Sequence, residues 1–284
     1  MKHLNSKGRD LVRQIQINDE YVLPLNKETL VMGILNITPD SFSDGGKFNE
    51  LNDALARAEM LVNDGASIID IGGESTRPGH EQVTIEEEIN RVVPVIEKLN
   101  EHINVPISID TYKAKVAERA LAAGASIIND IWGVKKDQEI AAVAKEYEAP
   151  IILMHNKDTP SYDDLIEDMK KSLYESINIV KAHGVQDDKI IIDPGIGFGK
   201  TLEHNLLAMR RLHELKTLGY PILLGTSRKS MIGAVLDLPV DERLEGTIAT
   251  VCYGIQQGVD IVRVHDVKEI KRAVTMMDKM IGKG

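Results

Sequence analysis

The chain has 284 residues, a formal net charge of -10, 43% hydrophobic residues and 27% charged residues. An acidic balance argues against nucleic acid as the main partner, because phosphate backbones need a basic face, and this apolar content excludes bulk disorder. The single cysteine, Cys252, excludes an intrachain disulfide and suits a reducing compartment. Met1 to Asp10 lack an apolar stretch of signal-peptide type, and no run of about 18 apolar residues occurs. A cytoplasmic protein without a membrane span is expected.

In chain order, Val12–Ile17 and Tyr21–Leu25 flank Asn18-Asp19 and are expected to form a hairpin closing the N-terminal end of a barrel. Residues 1–29 are read as an N-terminal extension and residues 30–284 as a single domain. Within it, eight short apolar runs alternate with helix-like segments: Val31–Thr38, Ser67–Gly72, Pro106–Asp110, Ser126–Ile131, Pro150–His155, Lys189–Asp193, Pro221–Thr226 and Asp260–His265. Such runs fit parallel strands buried on both faces. Asn52–Asp64, Tyr112–Ala123 and Asp137–Tyr147 carry helical periodicity. Three helix-to-strand joints share one pattern, with Gly65, Gly124 and Gly258 each placed to end a helix in the left-handed conformation. Eight uninterrupted βα units predict an α/β fold, a closed (β/α)8 TIM barrel. A doubly wound open sheet has the same alternation, and periodicity alone leaves both open.

The apolar runs end in polar residues: Asn36, Asp70, Asp110, Asn129, His155, Asp193, Arg263 and His265. In a barrel these would converge on the face that carries active sites. A single strand-end Asp or Asn often only caps a helix, but Asp110, Asn129 and Asp193 recur in one position. Carboxylates can accept adjacent ring N–H and amino donors, and Asn129 can both donate and accept. Two acids can also serve acid–base or metal chemistry. None of the eight histidines forms a metalloprotease pattern. Ser227-Arg228-Lys229-Ser230, with Arg263 and His265 on one face of the last strand, falls where barrels bind phosphate. The loops Pro39–Lys47 and Glu74–His80 read as lids. Gly195-Ile196-Gly197-Phe198-Gly199-Lys200-Thr201 imitates a nucleotide loop, but Pro194 stands at the first required glycine and Lys200 at the third glycine of a dinucleotide pattern. Its glycines would instead let a flat ligand approach the backbone. Cys252 reads as core.

Several segments carry a resemblance. Gly33-Ile34-Leu35-Asn36-Ile37-Thr38-Pro39-Asp40-Ser41-Phe42-Ser43-Asp44-Gly45-Gly46 resembles the first signature of dihydropteroate synthases. Asp70-Ile71-Gly72-Gly73-Glu74-Ser75-Thr76-Arg77-Pro78-Gly79 is similar to the second. Ile192–Lys200, Gly225–Ser230 and Arg263-Val264-His265 are similar to later segments of that family. The resemblance implies an enzyme, a transferase of folate biosynthesis. It would condense a dihydropterin pyrophosphate with p-aminobenzoate to give 7,8-dihydropteroate, and be a homodimer inhibited by sulfonamides. It implies that Asp110, Asn129, Ile131, Met154, Asp193 and Lys229 bind the pterin. Asn36, Arg77, Arg263 and His265 would hold pyrophosphate, with Mg2+ at Asn36. Phe42, Thr76, Pro78, Phe198 and Ser230 would frame p-aminobenzoate. Asp110, Asp193, Lys229, Arg263 and His265 would carry the catalysis. The alternatives are a pterin-dependent corrinoid methyltransferase, expected to lack both lid motifs, and a non-catalytic pterin-binding paralogue, expected to lose Asn36, Arg77 or His265.

Overall fold

A computed structural model describes residues 14–18, 21–25, 27–37, 46–74 and 83–283, with backbone alone at 46–50. A two-stranded antiparallel hairpin, β1 (Ile15–Gln16) and β2 (Val22–Leu23), precedes the main sheet. Eight parallel strands come next: β3 (Leu30–Asn36), β4 (Ile68–Gly72), β5 (Ile107–Asp110), β6 (Ile127–Asp130), β7 (Ile151–Met154), β8 (Ile190–Asp193), β9 (Leu223–Leu224) and β10 (Ile261–Val264). β10 pairs with β3, and the Ile192–Ile222 bridge joins β8 to the segment entering β9, so the sheet closes on itself. The open-sheet alternative is excluded. The seventh strand is shorter than Pro221–Thr226: Pro221 has no N–H to give, although its carbonyl accepts from Ile192 N at 2.9 Å, and Ile222 makes only an isolated bridge to Ile192.

Helices cover the outside: α1 (Gly46–Asn63), α2 (Ile85–Asn100), α3 (Ala114–Ala122), α4 (Glu139–Glu146), α5 (Leu165–Ala182), α6 (Leu202–Arg210), α7 (Ser230–Leu236), α8 (Leu244–Gln256) and α9 (Val267–Met280). The three predicted joints do end on left-handed glycines. Cys252 is partly buried on α8 and packs against the outer core.

Strand alternation divides the core in two. Val31, Ile69, Ile109, Ile151 and Val262 face the helices. Met32, Ile68, Ile127, Ile152, Ile191, Leu223 and Ile261 face inward at the strands' N-terminal ends, where Ile15, Ile17, Leu23 and Leu25 of the hairpin segment pack against them. Each such side chain withdrawn from water contributes about 1.5–3 kcal/mol before the entropy of ordering is subtracted. The hairpin therefore seals the bottom of the barrel, and Lys189 Nζ donates to the carbonyls of Gln16 and Ile17 to hold it there. At the same end, Thr29 binds Asp278 of α9 through its N–H and its hydroxyl, both at 2.7 Å.

A second polar tie sits beside the mouth. Lys113, just after β5, donates to Glu74 Oε2 and Glu88 Oε2, each at 2.6 Å, and to Val83 O at 2.8 Å. All three ammonium hydrogens are thereby used. Glu88 is buried on α2, and burial raises its pKa against the pull of Lys113.

Candidate active site

The inward positions that are apolar at the bottom become polar one step up the strands. Arg263 of β10 points into the barrel and donates from Nε to Asp70 Oδ2 at 2.5 Å and from Nη2 to Asp110 Oδ2 at 2.6 Å. Asn129 Nδ2 donates to the same Asp70 oxygen at 3.2 Å. A cation in an apolar strand needs such partners, since an unpaired buried charge is prohibitive. Asp70 has no exposed surface, and sequence patterning marks it only as a strand-end residue. Asp70 Oδ1, Asp110 Oδ1 and Ser108 Oγ are buried without a hydrogen-bond partner. Buried acceptors of this kind are built to receive donors from a ligand or water. Burial pushes the Asp110 carboxyl up, against the attraction of Arg263.

Asp193 ends β8 beside Met154, its register partner on β7. Its Oδ1 accepts from Gly195 N at 2.7 Å. Burial raises its pKa to about 6, partly offset by that bond. Lys229 approaches from the loop after β9, and burial lowers its pKa to about 8 against the attraction of Asp193. Its Nζ lies 4.0 Å from the centre of the Phe198 ring. The loop is held from outside. Arg228, at φ +57, forks onto Asp266 at 3.0 and 2.5 Å, and its own N–H binds Thr247 Oγ1 at 3.1 Å. That fixture turns Lys229 inward.

His265 and Ser227 meet at 2.9 Å between Nδ1 and Oγ, and the backbone N–H of His265 donates to the same oxygen at 3.2 Å. Asn36 is exposed at the tip of β3. A Cβ built on Gly72 would lie 3.8 Å from both Asn36 Oδ1 and Asp110 Oδ2, so the absence of a side chain there keeps the space between them open. Ile131 and Met154 are buried at the ends of β6 and β7, and Ser230 is exposed at the start of α7. Among the described residues no group of three or more His, Cys, Asp or Glu could hold a metal. Phe42, Thr76, Arg77 and Pro78 lie outside the described residues, as does most of each proposed lid.

Two expectations change. His155 comes directly after the inward Met154 and so turns the other way, meeting Lys200 Nζ at 2.8 Å through Nδ1. The glycines after Asp193 are required by the protein's own backbone: a Cβ on Gly195 would lie 1.9 Å from His155 O, and one on Gly199 would lie 2.3 Å from Lys157 O. Sequence reasoning assigns no individual role to Ser108, Ser227 or Lys200. Ser108 is within its reach, because it sits two residues before Asp110 and so shares its face.

Comparison with known proteins gives one family. The model of pterin-binding enzymes matches residues 32–265. The chain is 59% identical over 262 residues to a dihydropteroate synthase of Bacillus subtilis (strain 168), covering 92% of each chain. It superimposes with a TM-score of 0.88 on a dihydropteroate synthase from Clostridium difficile crystallised in the presence of pteroic acid. That pair is 55% identical over 90% of this chain and 97% of the other. A Yersinia pestis dihydropteroate synthase in complex with a sulfonamide drug gives a TM-score of 0.89 at 40% identity, covering 95% of this chain and 99% of that one.

Proposed function

The chain belongs to the dihydropteroate synthases of the pterin-binding enzyme family, and from that premise we propose how the residues of the barrel mouth divide the work. The enzyme is a transferase of folate biosynthesis that joins a dihydropterin pyrophosphate to p-aminobenzoate, giving 7,8-dihydropteroate and pyrophosphate.

The observation that carries the assignment of the pterin is the buried, unpartnered Asp110 Oδ1, on a carboxyl group that shares Lys229 as an electrostatic neighbour with Asp193. A pterin edge offers ring N–H and amino donors that match such carboxylates. Asn129 and Lys229 complete the polar contacts, and Ile131 and Met154 cover the ring. Lys229 Nζ can donate to the pterin carbonyl.

Asn36, Arg77, Arg263 and His265 hold the pyrophosphate in this reading. Arg263 gives Nε and Nη2 to carboxylates, which leaves Nη1 for a phosphate oxygen. The exposed Asn36 amide oxygen fits Mg2+, a hard ion that keeps several waters and binds chiefly through substrate phosphates. When bound, it would neutralise charge on the departing pyrophosphate. The carbon–oxygen bond breaks with its electrons going to pyrophosphate. In their carboxylate form Asp110 and Asp193 favour the cation left on the pterin. The arylamine nitrogen then attacks and loses a proton. Phe42, Thr76, Pro78, Phe198 and Ser230 frame that second substrate, and sulfonamides would occupy the same place.

Residues 30–284 form one domain, with 1–29 as its extension. The exposed apolar side chains Val235, Leu236, Val240 and Tyr253, all on or between α7 and α8, support a homodimer through that region. A single cysteine supports a cytoplasmic location, and among the described residues no helix is long and apolar enough to cross a membrane. The experiment that tests the reading measures pyrophosphate release with Mg2+, with and without p-aminobenzoate, and quantifies dihydropteroate by chromatography. Product in step with pyrophosphate is expected; tight pterin binding without either product would overturn it.

A further inference from the structure

The glycine-rich turn after β8 contributes Phe198 to the site, but its own construction is unexplained by any substrate. Gly195, Gly197 and Gly199 all take left-handed backbone, with φ of +64, +87 and +55. This aims the carbonyls of Gly195 and Phe198 at one point, which Lys200 Nζ occupies at 2.9 and 3.0 Å. The third partner is His155 Nδ1 at 2.8 Å. Burial lowers the Lys200 pKa to about 7 against the attraction of Asp193, but three acceptors converging on Nζ favour the ammonium, which only donates, so His155 accepts at Nδ1 and carries its proton on Nε2. Burial agrees with this, lowering the His155 pKa to about 2 and keeping the ring neutral.

Nucleotide loops with similar glycine spacing turn their N–H groups toward an anion. This turn does the reverse and offers carbonyl oxygens to a cation of its own chain. Its outer side is pinned as well, by Tyr162 OH donating to Gly199 O at 2.6 Å and Gly197 N donating to Asn205 Oδ1 at 2.7 Å. The turn touches Lys229 twice. The Phe198 ring lies 4.0 Å beneath its ammonium, and a Cβ on Gly197 would come within 3.0 Å of its Cδ.

We propose that Lys200 is a positioning residue, an internal cation around which the Gly195–Gly199 turn wraps, and that it sets the Phe198 ring against Lys229. Its effect on p-aminobenzoate rests on the proposed place of Phe198 beside that substrate; its effect on the ring itself does not.

The chain has three phenylalanines, so protein labelled with 4-fluorophenylalanine gives three fluorine resonances, and Phe198→Leu identifies one of them. In Lys200→Met that resonance is expected to shift or broaden while the other two stay. Loss of a charge-assisted contact network should raise KM for p-aminobenzoate about tenfold, with KM for the pterin pyrophosphate within about twofold. An unmoved Phe198 resonance in the folded variant overturns the proposal. A moved resonance with unchanged KM leaves the positioning role standing and removes Phe198 from the second-substrate site. If Lys200→Met does not fold, Lys200→Arg carries the same test. A planar fork cannot meet three acceptors converging on one point, so the resonance must again move, and its staying put would be equally fatal.

Discussion

Arg263 on β10 and Asp110 on β5 meet at 2.6 Å across the inside of the barrel, between strands that are not neighbours in the sheet. With Asp70 on β4 they form a buried cluster of two carboxylates and one guanidinium. Such a cluster is costly to break from one side. Arg263→Ala leaves two anions unpaired in the interior and is expected to lower stability by on the order of 3–5 kcal/mol, read by urea denaturation. Arg263→Ala combined with Asp70→Asn should recover part of the loss. Equal stability of the single and double variants would show that the pair is not coupled.

Asp193→Asn replaces one of the oxygens that we propose meet the pterin's donors with an amide N–H group. A lost bond to a charged group costs about 1.5–3 kcal/mol, so pterin affinity should fall roughly 10- to 150-fold in calorimetry. Full affinity would remove Asp193 from the pterin edge.

The same residue gives a pH dependence. Its pKa is raised from 3.8 to about 6 in the fold, so the carboxylate form is available above about 6 and lost below it. Pterin affinity is expected to weaken as pH falls through that value. The sign for the unliganded fold is opposite: a carboxyl with a raised folded pKa contributes stability fully present below 3.8 and lost as pH rises through about 6. Binding and stability should therefore respond to pH in opposite directions over this window, and Asp193→Asn should flatten both.

Lys113→Met removes a cation that both Glu74 and Glu88 bind. The loss is expected to reach about 3–5 kcal/mol at neutral pH. Glu88 already has a raised pKa from burial, and without Lys113 its pKa rises further. The variant's deficit should then shrink as pH falls and the carboxyls protonate. A deficit independent of pH would mean that the loss comes from packing alone.

The fold is readable because each strand is a short apolar run and three of the helix-to-strand joints carry a left-handed glycine, Gly65, Gly124 and Gly258. The polar rim is readable because the inward stripes of β3, β4, β5, β6, β8 and β10 each carry a hydrogen-bonding side chain near their C-terminal ends. The partner of Arg263 is not readable. Asp70 and Asp110 lie 193 and 153 residues away in the chain, and a lone arginine on an apolar strand looks the same whether it awaits a phosphate or already holds a carboxylate. The Gly195–Lys200 segment misleads for a related reason: spacing reports that the backbone bends sharply, not which of its polar groups turns inward. His155 shows the smallest such error, a single residue of strand parity.

The apolar bottom of the barrel and its polar mouth draw on different residues. Ile15, Leu23, Met32 and Ile191 meet below, while Asn36 and Ser230 stand exposed above. This separation leaves the protein free to evolve at its rim. Given the place proposed for Ser230 beside p-aminobenzoate, exchanges there would alter which small molecules are admitted without opening a void in the sealed end. The buried Asp70–Arg263–Asp110 cluster has no such latitude, because it is part of both the mouth and the interior. Inherited variation should therefore accumulate around the entrance and stop at this cluster.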